Sequence, residues 1–143
     1  MSADPRKRSL AERIFGPVSV FALFTTTGIL HLAKPGTYEQ IMPPQLPAPH
    51  ELVIISGVAE IVGGALFLFP RTRRFGAWYL IALLIAVFPS NVYMASQEKF
   101  HKMVPGGEAS LIARLPIQFL MIWWLHRLAK RTSPSQTTAK VTA

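Results

Sequence analysis

The sequence predicts an all-α fold, a transmembrane four-helix bundle, and three observations carry that expectation. Four apolar runs, at about residues 14–32, 52–69, 75–95 and 111–128, each have the length a helix needs to cross a ~30 Å hydrocarbon layer at ~1.5 Å per residue. The helices are apolar all round: Leu80 to Phe88 contains no polar side chain, whereas a helix of a soluble bundle shows one every third or fourth position. The cations collect at the ends of the runs. One side carries Arg6, Lys7, Arg8 and Arg13, then Arg71, Arg73 and Arg74, then Arg127, Lys130, Arg131 and Lys140; the other carries only Lys34, Lys99, Lys102 and Arg114. That alternation with every crossing places both termini in the cytoplasm of a multi-pass protein of the plasma or inner cell membrane.

The net charge of +8 would by itself suit a nucleic-acid partner. Its placement at helix ends excludes that and makes the lipid bilayer the partner. Half the residues are hydrophobic, 15% are charged, and the mean hydropathy is +0.33. Without cysteine, the chain supplies no disulfide, thiolate nucleophile or iron–sulfur ligand. A basic start before an apolar run mimics a secretory signal. However, Thr27 to Leu32 offers no small-x-small cleavage site, so the run is read as a retained helix.

In chain order, residues 1–13 form a basic cytoplasmic arm and 14–129 the four-helix domain; 130–143 form a Ser/Thr/Gln-rich disordered cytoplasmic tail. The connector after helix one holds Pro35, Pro43, Pro44, Pro47 and Pro49, which argue against regular helix. Its apolar Tyr38, Ile41, Met42 and Leu46 suggest a cap over the outer mouth of the bundle; a free surface loop is the alternative. Helix two stops at Pro70, and Arg71 to Arg74 form a tight inner turn, making helices two and three antiparallel neighbours. Pro89 removes a backbone bond from helix three. Residues 96–107 form a polar outer loop, and helix four begins near Glu108, an acid suited to a helix N-terminus. Trp123 and Trp124 fit an interfacial aromatic belt.

One segment organises the interior. Glu60 lies ~13 Å below the outer surface, near the midplane, among the small residues Ser56, Gly57, Gly63 and Gly64, which permit close helix packing. Gln118 shares its depth on helix four, Arg114 is one turn shallower, and His31 and Asn91 lie in the outer halves of helices one and three. An ionisable side chain at mid-membrane costs ~2.5–3.5 kcal/mol on insertion scales, so Glu60 and Arg114 are expected to face each other inside the bundle. Two outcomes stay open. Paired, they form a fixed dipole; with Arg114 turned outward, Glu60 is a proton carrier or hydrogen-bond donor. The five polar residues either line a ligand pocket or simply hold the helices together. No metal site is expected, because His31, Glu60 and Asn91 have no metal-ligand spacing, and the histidines do not face one another at one depth as haem would require.

Several motifs resemble those of the DoxX-like family of small four-helix integral membrane proteins. They are His31 with Pro35 and Ile41-Met42-Pro43-Pro44-Gln45-Leu46-Pro47; Ser56-Gly57-Val58-Ala59-Glu60-Ile61-Val62-Gly63-Gly64 with Pro70, Arg73 and Arg74; Ala86 to Ala95; and Arg114-Leu115-Pro116-Ile117-Gln118. The resemblance spans residues 14–128. It implies an accessory subunit of a quinone-linked membrane redox system, with a quinone or lipid as the ligand and a redox-complex protein as partner. It does not imply a self-sufficient enzyme. Two other readings stand beside it: a small proton-coupled transporter, for which a homo-oligomer is expected, and a purely structural assembly or chaperone protein.

Overall fold

The computed structural model describes residues 10–131, which form helices and connectors with no strand among them. Most of the expected basic arm and nearly all of the expected tail lie outside that range. The elements are α1 (Leu10–Ala33), α2 (Pro35–Glu39), α3 (Pro49–Leu68), α4 (Arg73–Ser96), α5 (Glu98–His101) and α6 (Gly107–Arg131). Four of them are long and apolar enough to cross a membrane, and only 17–28% of the residues in each span's apolar window are buried inside the protein. The outward faces carry Phe15, Ile55, Phe75, Ile85, Phe119 and Trp123, all exposed. An apolar exterior on four such helices suits lipid better than water.

The expected spans are present with shifted ends. α1 begins four residues earlier, taking residues 10–13 from the expected arm, and α3 and α6 begin at Pro49 and Gly107. The connector also contains helix, contrary to the expectation from its prolines. Pro35 opens α2, and proline is tolerated at a first helical position because its missing N–H would be unpaired there anyway. The same logic hides the start of α3, whose first residue is Pro49. A second short helix, α5, lies in the segment expected to be loop.

The long helices pack in the order α1–α3–α4–α6, with α2 resting on α1 and α3, and α5 on α4 and α6. The backbones of α1 and α6 stay apart. Side chains close that seam at the end where the cations cluster, the basic end. There Val20 and Phe24 of α1 share one core with Phe67, Leu80, Leu84, Leu125 and Ala129. A smaller core of Met94, Phe100 and Leu111 fills the opposite end. Ile41 of the connector packs against it, and Ser90 donates its hydroxyl hydrogen to Met42 Sδ at 3.4 Å. The connector is therefore a cap over this end.

The α3–α4 turn shows how the chain settles its helix ends. Pro70 follows α3, leaving terminal carbonyls without intrahelical donors. The Thr72 hydroxyl donates to Leu66 O at 2.7 Å, and Arg73 Nε and Nη2 donate to the carbonyls of Phe67 and Leu68 at 3.0 Å each. The next helix thus begins with the residue that finishes the previous one. Gly76 completes the hairpin: a Cβ there would stand 2.6 Å from Phe67 N, closer than any side chain permits.

Candidate functional site

Of the helix pairs, α1 and α3 approach most intimately, and two glycines allow it. A Cβ on Gly28 would meet Gly57 O at 2.5 Å, and one on Gly57 would meet Gly28 O at 2.9 Å. Removing the side chains brings the two backbones together, as small residues do between membrane helices. His31 Cβ then lies beside Gly57, and Glu60 Cβ beside Gly28. Side chains on a helix lean toward its N-terminus. α1 and α3 run in opposite directions, so His31 and Glu60 lean toward one another.

They meet with His31 Nδ1 3.5 Å from Glu60 Oε2, their side chains 18% and 12% exposed. That distance gives charge proximity rather than a formed hydrogen bond. Nδ1 instead lies 2.8 Å from the Thr27 carbonyl, a geometry that suits a ring N–H donating along its own helix. The Thr27 hydroxyl, beside Glu60, donates to the carbonyls of Leu23 and Phe24 at 3.2 and 3.1 Å. Glu60 Oε2 is shielded and has no hydrogen-bond partner among the described residues.

Tyr38 of α2 covers this pair. Its ring stacks on the His31 imidazole with centroids 3.9 Å apart and planes 28° from parallel. Burial, and secondarily the field of Glu60, push the Tyr38 phenol above its ordinary value of 10.0, while Arg114 pulls it the other way. Tyr38 therefore stands within electrostatic reach of both the acid and the guanidinium. A hydrogen bond between His50 Nδ1 and Glu39 Oε1, 2.6 Å long, ties the end of α2 to the first turn of α3.

The expected Glu60–Arg114 pair does not form. Arg114 is exposed and makes no hydrogen bond or ion pair with a described residue. α6 packs on α4, and its backbone does not reach α3, which separates the two side chains. On a helix apolar enough to span a membrane, an exposed guanidinium avoids lipid by extending its long side chain toward the interface. The ionisable partner of Glu60 is His31, from the neighbouring helix.

Asn91 and Gln118 form a separate cluster between α4 and α6. Asn91 Nδ2 donates to Gln118 Oε1 at 2.7 Å, and Gln118 Nε2 donates to the Leu84 carbonyl. Gln118 is 5% exposed, and its amide has a partner for both its oxygen and its nitrogen. Leu84 lies next to Ile85, the residue whose carbonyl loses its helical donor because Pro89 has no N–H.

The five expected site residues thus divide into His31 with Glu60, Asn91 with Gln118, and Arg114 at the periphery. The expected packing residues divide too. Gly57 and Gly64 face α1, Gly63 faces Tyr79 and Leu80 of α4, and Ser56 is half-buried beside Gly57. Tyr38, Thr27 and Gly28 belong to the site although the sequence marked none of them as site residues. One signal was available: Gly28 precedes His31 by three residues and Gly57 precedes Glu60 by three, the spacing that puts each glycine on the face of its ionisable neighbour.

The family described as Domain of unknown function (DUF8561) matches residues 20–129, a stretch containing both polar clusters. No curated protein and no solved structure matches the chain.

Proposed function

The chain belongs to that family of unknown function, and from its interior we propose that it is an accessory membrane protein holding a hydroxyl-bearing amphipathic molecule of the quinol class. The binding groups are Glu60 and His31, beneath Tyr38. Glu60 Oε2 carries this reading, because it is shielded, unpartnered and 3.5 Å from an imidazole nitrogen. A buried acceptor left empty costs ~1–3 kcal/mol. A ligand hydroxyl offsets that cost by donating to the carboxylate. The stacked Tyr38 and the Thr27 carbonyl fix the His31 ring, so it presents Nε2 while Nδ1 stays engaged. Arg114, whose charge reaches Tyr38, would suit an oxygen of the ligand away from Glu60.

Two further elements rest on sequence. The DoxX-like resemblance supports the redox-linked, accessory role. The cation asymmetry supports cytoplasmic termini in a plasma or inner membrane, with the capped end outward. The test is equilibrium binding of a short-chain quinol analogue to the reconstituted full-length protein. Glu60→Gln should weaken binding about tenfold or more, as loss of a hydrogen bond to a charged group does, and abolish its pH dependence. Unchanged affinity and unchanged pH dependence would reject the role.

A second reading, in which the polar groups only join helices for an assembly function, is favoured by one observation: both the oxygen and the nitrogen of the buried Gln118 amide are bonded across α4 and α6. It predicts that Glu60→Gln combined with Arg114→Met preserves both stability and partner binding.

A further inference from the structure

At the basic end, the last turns of α3 and the turn after it form an apolar groove of about 680 Å³. Val62, Ala65, Leu66 and Phe69 supply its wall, and Arg71 is the charged residue in its lining. Val62 and Phe69 are 43% and 62% exposed, so the groove opens on the outer face of the bundle. It lies at the end of a helix long and apolar enough to span a membrane, which sets its upper part against acyl chains and its mouth at the interface. A cleft of this size falls within the ~300–1,000 Å³ typical of small-molecule sites.

The cations of the turn are not equivalent. Arg73 is committed to the Phe67 and Leu68 carbonyls, and the Thr72 hydroxyl to Leu66. Arg71 is exposed and has no hydrogen bond or ion pair with a described residue. Arg74 is exposed three residues on, and no acidic residue occurs between 61 and 80. The groove therefore joins a hydrocarbon-sized wall to an uncommitted guanidinium at interfacial depth, with a second cation near it and no carboxylate in the segment. Guanidinium binds phosphate through paired N–H donors.

We infer that this groove is a binding site for an anionic glycerophospholipid, one acyl chain lying along Val62, Ala65, Leu66 and Phe69 and its phosphate on Arg71. A zwitterionic lipid offers the same chain and phosphate, but its terminal cation meets Arg74 without a compensating acid. The site depends on the chain's spanning a membrane and is independent of Glu60.

The test is native mass spectrometry of the full-length protein in non-ionic detergent, titrated with phosphatidylglycerol or with phosphatidylcholine of identical acyl chains. The wild type should retain phosphatidylglycerol about fivefold better, the effect of one basic residue on an anionic lipid. Arg71→Ala should abolish the preference, Arg71→Lys should keep most of it, and Ala65→Trp should lower retention of both lipids by filling the groove. Glu60→Gln should leave lipid retention unchanged, separating this site from the quinol site. Equal retention of the two lipids by the wild type would overturn the inference. So would a preference that survives Arg71→Ala, or a second copy of the chain excluding lipid from the groove.

Discussion

The α1–α3 and α4–α6 pairs both bury polar side chains between helices, yet they close them differently. Between α4 and α6 the Gln118 amide is satisfied at both ends, by Asn91 and by the Leu84 carbonyl. Between α1 and α3 the Glu60 carboxyl has a shielded oxygen with no partner among the described residues, while His31 Nδ1 and the Thr27 hydroxyl also lie on carbonyls of their own helix. A network whose shielded atoms are all bonded holds helices together and leaves no orphaned group for a ligand to satisfy. An open one is costly to keep and available to bind. Under the proposed function, α4–α6 serves adhesion and α1–α3 recognition, although both pairs draw on the same small set of polar residues in the spans.

The hardest blow to the recognition pair is steric. Gly28→Leu should force α1 from α3, since even a Cβ there stands 2.5 Å from Gly57 O and 2.7 Å from Ile61 Cγ1. Overpacking costs about 1–3 kcal/mol or more. Denaturant unfolding in micelles should show that loss, and quinol-analogue binding should vanish with it.

For the adhesive pair, Gln118→Leu leaves Asn91 Nδ2 and the Leu84 carbonyl without their partner. It should cost about 1–2 kcal/mol, toward the upper end of what interhelical hydrogen bonds yield in membranes. Ligand affinity should not change. The double change Asn91→Leu with Gln118→Leu should recover part of the loss, because removing both partners is milder than orphaning one. A fall in ligand affinity with either variant would erase the division between the pairs.

Tyr38 gives a smaller, spectroscopic effect. Its phenol titrates above 10.0 because the folded state disfavours the phenolate through burial and through Glu60. The folded state thus holds this proton more tightly than the unfolded chain does. Its contribution is intact below pH ~10 and declines as pH rises through the folded-state value. Phenolate absorbance should show one late-titrating tyrosine that Tyr38→Phe removes. Tyr38→Phe keeps the stack on His31 and should leave stability at neutral pH nearly unchanged.

The smallest effect belongs to Arg114→Gln, which should alter unfolding free energy by no more than about 0.5 kcal/mol, as at other exposed positions without partners. A loss of several kcal/mol would restore the buried pairing that the sequence suggested.

Spans and caps were legible because they depend on local properties: apolar length, breaker residues and the connector's Ile41 and Met42. Helix starts at Pro35 and Pro49 were obscured because a proline reads as an interruption unless it is recognised as a first residue. The polar residues were also legible, being scarce in an apolar background, but their partners were not. Matching Glu60 to Arg114 by charge and depth ignored which helices touch, a property set by Gly28, Gly57 and Gly76 rather than by any charged group. Tyr38 escaped because an aromatic in a proline-rich connector looks like a cap, and here the cap also covers the site.

The most direct measurement is the infrared difference spectrum of the reconstituted protein on addition of a short-chain quinol analogue, compared with Glu60→Gln and with Gln118→Leu. A new donor to Glu60 should shift a carboxyl or carboxylate band in the wild type and in Gln118→Leu, and the shift should be missing from Glu60→Gln. A carboxyl signal that persists in Glu60→Gln, or a wild type with no signal at saturating ligand, would contradict the assignment of recognition to the α1–α3 pair.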